Sequence, residues 1–592
     1  MKTRCTILML ALTVVALSMV PSTLFASAPD TVIVYANPPT GSGAANTMDQ
    51  QIMGDTLAGG VLPANKVFVL QQTGSIDTVY YISATVQFKG NLVLVGKVNP
   101  KTGHPPVIAP AIAADNSSPY TYFNPMGGDT LRVEGVYIMG TRSDYSSVTG
   151  IAFGAGGDSV TFIINHDVIE NIGGSGTPNI INTWGQQHIN IYCTNCDFRN
   201  NQDDVPQNPG IGWVDPGNYP CDTAEFINNT FFIFGGTTLG SAGYIGYFDF
   251  EHNTVLFTTK GGIETLEQLW NAKIKNNIFF SMNSTGLDTG HVYDKTTWNA
   301  NFYGPPAIIE LDTLSTLKSA PFNISESMRN IQVTNNAYFW PKGIVDNWTA
   351  LNNRTVTTGY GQIVSTVWLA QTGGDFVNDK TTWPLINVSN NDSTDPGFNA
   401  TMVQQASDSM AMFVDTCWVQ GSGANDRPYW NRQTDPPTWS LVPSGWSWAT
   451  GGYPVPENLK YSNTSLQSAG SDGFALGDLN WFPAQLALWQ AGKVNAVEPT
   501  GLQIPSKFDL SQNYPNPFNP STTIKVSLTH SGAMSLTVYN VLGQVVQVVD
   551  QGNKPAGEYT YNISMDRFAS GIYFFTLRQG TNSITKKMVL LK

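Results

Sequence analysis

Charged side chains are scarce in this 592-residue chain, where Asp, Glu, Lys and Arg together make up 12% of the residues. That is about half the share of an average protein. Long exposed helices need Glu and Lys in quantity, so the composition excludes a mainly helical protein. Glycine (56) and proline (35) are plentiful, as expected for many strands joined by many turns. A chain of this length also predicts two or more domains.

Positive charge is the scarcer sign, because the formal net charge is −13. An acidic surface repels phosphates, and no basic stripe along the sequence offsets that repulsion. The sequence therefore predicts no nucleic-acid partner. An acidic balance is compatible with a soluble protein in an open medium.

Cysteine is rare, with five in the whole chain. Cys193, Cys196, Cys221 and Cys417 are too few for a disulfide framework in a chain this long. The pair Cys193-x-x-Cys196 has no second pair or histidine cluster to complete a metal site. Buried thiols or one disulfide are the expected outcome.

Long apolar runs are confined to the N-terminus, where Ile7 to Val20 follow Lys2 and Arg4. Small residues at Ala26-Ser27-Ala28 complete the pattern of a secretory signal peptide over residues 1–28. The remaining chain has no run of about 18 apolar residues, so we expect a mature protein that does not span a membrane.

The composition of the chain changes at about residue 507, after a linker predicted at 491–506. A Pro-rich stretch around Tyr514-Pro515-Asn516-Pro517-Phe518 leads into about seven short alternating strands, which predict a small Ig-like β-sandwich over 507–592. The motifs Tyr539-Asn540-Val541-Leu542-Gly543 and Ser570-Gly571-Ile572-Tyr573 and a Lys-rich apolar end follow. The segment closely resembles the type A C-terminal sorting domain of the type IX secretion system.

The resemblance implies a partner, the type IX secretion machinery, and export through the periplasm of a Gram-negative cell to its outer surface or the medium. Removal of the domain, with release of the protein or attachment to surface polysaccharide, is usual in that family. An Ig-like adhesive module is the alternative interpretation of the same strands.

A six-residue pattern recurs between residues 130 and 400, with clear copies at Phe226–Phe231, Phe250–Val255 and Ile274–Phe279. In each copy a second Asn, or its substitute, marks what we call the ladder position. We expect the apolar residues three before it and two after it to point inward. The assigned ladder positions are His166, Cys196, Asn229, Asn253, Asn277 and Asn336.

Two of the intervals are 24 residues, others are near 30, and the last, of 59, holds two turns or one long insertion. Such a period predicts a solenoid whose Asn amides bond from coil to coil. The pattern resembles the right-handed parallel β-helix of the pectate-lyase-like superfamily. The predicted fold is thus all-β: a right-handed parallel β-helix solenoid over 29–490, with Trp-rich loops in 340–490, and then the small sandwich.

Charged residues alternate with the inward positions, so we expect them to face solvent. Glu225, Asp249 and Lys273 share one column, and Glu251 and Lys275 share another. Neighbouring strands lie about 4.8 Å apart, which predicts the pairs Asp249–Lys273 and Glu251–Lys275. One interpretation is cross-strand charge pairing on a solvated face.

The other interpretation is a polysaccharide site, as the resemblance implies. Lyases of that fold use carboxylates to hold Ca²⁺ and a basic side chain to abstract a proton. Here Glu225, Asp249 and Glu251 would hold the cation, and Lys273 or Lys275 would be the base. Related hydrolases use paired acids instead.

Two further groups are candidates for binding. Asp203 and Asp204 follow Asn200-Asn201-Gln202 in a predicted loop, where they either bind Ca²⁺ or form a solvated turn. Trp430 and Trp446 belong to a stretch, 340–490, that holds eleven of the 15 tryptophans. Exposed indoles would stack on sugars, whereas buried ones would fix the loops.

The sequence thus predicts an exported β-helix protein that engages polysaccharide, either as a lyase or glycosidase on acidic glycans or as a non-catalytic adhesin or matrix component.

Overall fold

The computed structural model describes most of the chain. The predicted signal peptide lies outside the described residues, as do Asp204, Trp430 and Trp446. The described residues are 30–36, 47–64, 66–72, 78–111, 119–140, 150–174, 179–203, 213–215, 220–235, 238–241, 244–258, 263–264, 269–284, 286–288, 307–314, 324–353, 363–420, 458–495, 508–528, 532–554, 557–579 and 582–592.

Three long parallel sheets of 11, 10 and 9 strands form the larger part of the molecule. We name them sheets I, II and III in the order in which each coil of the chain visits them. Strands that follow one another within a sheet belong to successive coils and pair in parallel. This arrangement confirms the predicted parallel β-helix.

The strand bounds follow the same order. Sheet I contains Asp30–Val34, Lys66–Leu70, Leu92–Gly96, Thr130–Glu134, Thr161–Asn165, Ile189–Thr194, Cys221–Ile227, Ile245–Glu251, Leu269–Lys275, Asn330–Thr334 and Asn387–Ser389. Sheet II contains Val79–Ile82, Val107–Pro110, Tyr137–Met139, Val168–Glu170, Gly173–Gly174, Asp197–Asp203, Thr230–Gly235, Thr254–Thr258, Ile278–Phe280 and Ala337–Phe339. Sheet III contains Val86–Phe88, Thr121–Pro125, Ile151–Gly154, Asn179–Asn182, Trp213–Asp215, Leu239–Ser241, Ile263–Glu264, Ala307–Asp312 and Val367–Thr372. A short antiparallel pair, Leu287–Asp288 with Ile363–Val364, lies outside the three sheets.

The interior of the coil is lined by the predicted apolar columns. Phe226, Phe250 and Ile274 align in register on sheet I and are fully buried in one core. The prediction was wrong by one residue in the earliest of the six copies, because Ile164 and not Ile163 aligns with Cys193. The ladder position there is consequently Asp167, whose Oδ1 accepts a hydrogen bond from the backbone N–H of Val136 at 2.8 Å.

The Asn ladder forms at the corner between sheets I and II. Oδ1 of Asn253 accepts from both the backbone N and Nδ2 of Asn229 at 3.0 Å, and Asn277 does the same for Asn253 at 2.7 and 3.2 Å. Asn336 and Asn391 continue the series. The residue before each ladder position has a left-handed backbone, which Asn tolerates better than most residues. These residues are His166, Asn195, Asn228, His252, Asn276, Asn335 and Asn390.

The 59-residue interval is a single coil with a long insertion, because Lys273 pairs directly with Gln332 in sheet I. The first end of the coil is covered by helix α1 (Met48–Gly54), whose Met48 and Ile52 join the interior core. At the other end Phe376, Trp383 and Ile386 join the same core.

A second apolar layer covers the outside of sheet II. Phe232, Leu256 and Phe280 point away from the interior, yet they are buried under chain from the stretch 340–490. Most of that stretch is predicted as long loops, but it contains helices α2 (Lys342–Asn352) and α3 (Ala400–Gln420). Helix α4 (Pro483–Asn495) covers the short amphipathic helix that the sequence predicts from Ala484 to Ala491. In the described residues no helix is both long and apolar enough to cross a membrane.

The C-terminal segment is a β-sandwich of seven antiparallel strands, as predicted. One sheet has three strands, Asp509–Leu510, Ser521–Leu528 and Gly557–Ser564. The other has four, Gly532–Tyr539, Val545–Lys554, Gly571–Gln579 and Asn582–Leu590. Their inner faces share one apolar core.

Candidate functional site

The outer face of sheet I carries two aligned rows of polar and aromatic side chains, which we name the polar stripe. Each row crosses five successive strands in register. Because side chains alternate along a strand, the residues of both rows point away from the apolar interior. One row is Tyr192, Glu225, Asp249, Lys273 and Gln332, and the other is Asn190, Thr223, Tyr247, Asn271 and Asn330.

Asp249 lies at the centre of the polar stripe, and only one of its two carboxylate oxygens makes polar contacts. Its Oδ2 accepts from the Tyr247 hydroxyl at 2.9 Å and lies 3.5 Å from Nζ of Lys273. Its Oδ1 has no hydrogen-bond partner in the described part of the chain. Burial raises the pKa of Asp249, and the nearby Glu251 raises it further, while Lys273 opposes both effects. The predicted Asp249–Lys273 pair is confirmed, although Asp249 is only 5% exposed and not solvated as expected.

Glu251 lies two residues further along the same strand and is bound by Lys275. Their Oε1 and Nζ are 2.9 Å apart, which confirms the second predicted pair. Asn276 also donates to this Oε1, at 3.2 Å. Burial would lower the pKa of Lys275, but the charge of Glu251 and the hydrogen bond to it outweigh burial and raise that pKa.

The left-handed corner beside Glu251 is closed by chain from far along the sequence. Nε2 of His252 lies 2.8 Å from Oδ2 of Asp472, and Nδ1 lies 3.3 Å from the carbonyl oxygen of Gly477. Burial alone would raise the pKa of Asp472, but the hydrogen bond with His252 lowers it to about 2. Trp489 donates to the same carboxylate at 3.1 Å.

The segment that contains Asp472, residues 469–482, runs along the ladder corner, and we name it the strap. The carbonyl of Ala469 accepts from Asn335, the backbone N of Ser471 donates to Asn276, and Asn480 donates to the carbonyl of Asn228. With the contact between Asp472 and His252, the strap therefore meets the left-handed residues of four successive coils in order.

Two of the three carboxylates of the predicted calcium site are already paired with lysines. Ca²⁺ takes six to eight oxygen ligands, but Oδ2 of Asp249 and Oε1 of Glu251 each already face a lysine ammonium. Glu251, His252 and Asp472 do have ligand atoms within 4.8 Å of one another. Their oxygens, however, accept from Lys275, Asn276, His252 and Trp489, so the trio is a hydrogen-bonded ion cluster beneath the strap.

A second charged cluster lies on the outer side of sheet II. Nε of Arg199 lies 2.9 Å from Oε2 of Glu170, and Nδ2 of Asn200 donates to Oε1 of Glu170 at 2.9 Å. The Tyr137 hydroxyl donates to the same carboxylate. All four side chains are buried, and both oxygens of Glu170 are engaged, as in a structural buried ion pair.

The predicted loop after Asn200 is instead part of a strand that continues to Asp203. Asn201 is buried and bonds the backbone of Ile169 and Ile172, so it holds neighbouring coils together. Asp203 pairs through its backbone with Gly174. The structure therefore does not bring Asp203 into the polar stripe.

Tyr192, Tyr247 and Asp472 were not among the predicted candidates. Tyr192 shares its column with Glu225, and Tyr247 precedes Asp249 by two residues, so the alternation used for the charged residues also identifies these tyrosines. Asp472 lies 220 residues from His252, and no periodic pattern in the sequence relates the two.

Comparison with known families supports the sequence analysis at the C-terminus. Residues 512–591 match the family described as the secretion system C-terminal sorting domain. No curated protein matches the chain. The chain thus carries the sorting domain of a type IX cargo protein, which is exported to the cell surface or the extracellular space.

Proposed function

We propose that this exported protein binds polysaccharide through the polar stripe of sheet I, as a non-catalytic adhesin or matrix component at the cell surface or in the medium. The observation that supports the proposal is the alignment of hydroxyl, amide, carboxylate and tyrosine side chains over five successive strands. A sugar chain offers many hydroxyl groups and flat apolar faces, which such groups bind by hydrogen bonds and by stacking.

The charges of the polar stripe favour a neutral glycan. Its charged residues are Glu225, Asp249 and Lys273, and Lys273 is already paired with Asp249. The neighbouring pair of Glu251 and Lys275 adds no excess positive charge. A polyanion would meet no net positive field here, and the whole chain has a formal charge of −13.

The same geometry weighs against the predicted lysine base. A base must be unprotonated to accept a proton, but the ion pair with Glu251 raises the pKa of Lys275 and holds it as an ammonium. Oε1 of Glu251 is already engaged by Lys275 and Asn276, and His252 lies 3.9 Å from it, so this oxygen is not free to bind a substrate.

Affinity electrophoresis of the purified mature chain in neutral gels (xylan, laminarin, starch) and acidic gels (alginate, polygalacturonate) tests the proposal. We expect retardation in at least one neutral gel, and Tyr247→Ala should weaken it by about tenfold through loss of one stacking ring. Tyr81→Ala is the matched control, because Tyr81 is an exposed tyrosine on the outer face of sheet II. No retardation in any gel, or equal loss with Tyr81→Ala, would refute the proposal.

Hydrolysis of glycan is the second candidate function. Burial raises the pKa of Asp249, as in a general acid, and Glu225 lies directly opposite it on the next strand. Reducing ends released from the same polysaccharides, and lost in Asp249→Asn, would support a hydrolase. Unsaturated products would instead support the lyase on acidic glycans.

A further inference from the structure

The two sheets of the C-terminal sandwich differ in their outer faces. On the three-stranded sheet, the outward residues of Ser521–Leu528 are Thr523, Lys525 and Ser527, which alternate with buried Ile524, Val526 and Leu528. Asn562 lies opposite Thr523 on the neighbouring strand and accepts its hydroxyl hydrogen bond at 2.8 Å. This polar outer face is the usual one for a sandwich in water.

The four-stranded sheet breaks that rule. Its inward residues Val538, Phe575 and Met588 belong to the core, so the residues that alternate with them point outward. Those outward residues are largely apolar, and we name them the apolar face. They are Tyr539, Val545, Val548, Ile572, Phe574 and Val589.

The apolar face is open in this structure. Val545 is 58% exposed, Val548 is 50% exposed and Ile572 is 45% exposed. The hairpin that leads into Val545 adds Val541 and Leu542, which are 65% and 79% exposed. Contiguous apolar surface of this kind on a soluble domain marks a contact with another molecule.

The charges on this face narrow down the occupant. Lys587 lies opposite Phe574 in register, and Arg578 follows Thr576 on the same outward side. Both charged residues are exposed cations, in a chain whose formal net charge is −13. A complementary surface is therefore apolar with carboxylates at its edge.

We propose that the apolar face docks the sorting domain onto a protein of the export machinery that presents an apolar surface edged by acidic side chains. The match of residues 512–591 to a sorting domain means that this part of the chain must engage that machinery. Within the described sandwich, the apolar face combines exposed aliphatic side chains with the positive charges of Lys587 and Arg578, whereas the whole chain has a negative net charge. Docking there would bury the side chains that now contact water.

Export of the full chain from a Gram-negative cell with the type IX apparatus tests this proposal. Val545→Glu with Val548→Glu places carboxylates on the apolar face, and Lys587→Glu reverses a charge at its edge. We expect each variant to lower the amount of protein outside the cell by at least about tenfold, because a carboxylate buried against apolar or acidic surface opposes docking. The retained protein should be folded, as judged by protease resistance in periplasmic extracts.

The matched controls lie on the polar outer face of the other sheet. Asn562→Glu with Ser564→Glu and the reversal Lys525→Glu carry the same charge changes, and export should stay within about twofold of the unaltered chain. Unchanged export of both apolar-face variants, or equal loss in the controls, would overturn the proposal.

Two other occupants of the apolar face would give different experimental results. If the variants leave export intact but abolish binding of the purified chain to vesicles of anionic phospholipid, the face binds membrane and the proposal is wrong. If they leave export intact but convert a dimer to a monomer in sedimentation, a second copy of this chain occupies the face and the proposal is equally wrong.

Discussion

Single residues at the ladder corner stabilise the coil through bonds that they make to both neighbouring coils. Asn253 accepts from the backbone N and Nδ2 of Asn229 and donates to the carbonyl of Phe226 at 2.8 Å, both on the preceding coil. Its backbone N and Nδ2 also donate to Oδ1 of Asn277 on the following coil. It is fully buried, so water does not replace these bonds when the amide is lost. A buried group left without a partner costs about 1–3 kcal/mol.

Replacement of Asn253 by Ala should therefore lower the free energy of unfolding, because several buried groups lose their hydrogen-bond partner at once. We expect a lower urea midpoint of the mature chain and faster hydrogen exchange of the Asn229 amide. Asn330→Ala is the control, because Asn330 is an exposed residue of sheet I outside the ladder. Its effect should stay within about 0.5 kcal/mol. Equal effects of the two substitutions would contradict a structural role of the ladder.

At the scale of elements, the strap lies close to the coil at one glycine. Gly477 has a φ of 76°, and a Cβ there would meet Oγ1 of Thr254 at 2.4 Å. Its backbone N donates to the carbonyl of Asn276 at 2.7 Å. Gly473 has a similar φ of 84°, but a Cβ there would meet nothing within 4 Å.

This contrast gives a matched pair of substitutions in one element. Gly477→Ala should displace the strap, because its backbone must move away from Thr254. Gly473→Ala should cost only the left-handed backbone strain, about 1–2 kcal/mol. Hydrogen exchange and limited proteolysis of residues 469–482 measure the difference. Similar protection in the two variants would show that close approach at Gly477 does not hold the strap.

At the scale of the whole molecule, Asp478 joins parts of the chain that are 248 residues apart. Its Oδ2 accepts from the Thr230 hydroxyl at 2.7 Å, while its Oδ1 accepts from the backbone N of Asn480 at 2.8 Å. Burial raises the pKa of Asp478 to about 7, and these hydrogen bonds only partly offset burial. The folded protein thus binds a proton at this carboxyl more tightly than the unfolded chain does.

The sign of the pH effect follows from that raised pKa. Stability contributed at Asp478 is highest below its unfolded pKa, falls as pH rises towards about 7, and is constant above. We expect Asp478→Asn to narrow the difference between urea midpoints measured at about pH 5 and about pH 8. Asp472, whose pKa is lowered to about 2, loses its contribution only in stronger acid, so Asp472→Asn should lower both midpoints alike. An unchanged difference in Asp478→Asn would contradict this account.

Prediction from the sequence succeeded where contacts repeat between neighbouring coils. The columns of Phe226 and Phe250, the pairs Asp249–Lys273 and Glu251–Lys275, and the ladder all depend on one register. It failed by one residue at Ile163, because an Asn165-His166 pair resembles the double Asn while Asp167 occupies the ladder position. The burial of Asp249 and Glu251 was missed, since alternation indicates which way a side chain points and not what covers it.

The sequence by itself determined the coil, its amide corner and the export domain, because each is a local pattern repeated at nearest-neighbour distance or a continuous motif. Only the tertiary structure decided that Asp472 meets His252, that the strap seals the corner, and that Phe232 and Leu256 are covered from outside. Those contacts join residues hundreds of positions apart without any period. Their partners are selected by shape and charge once the coil exists.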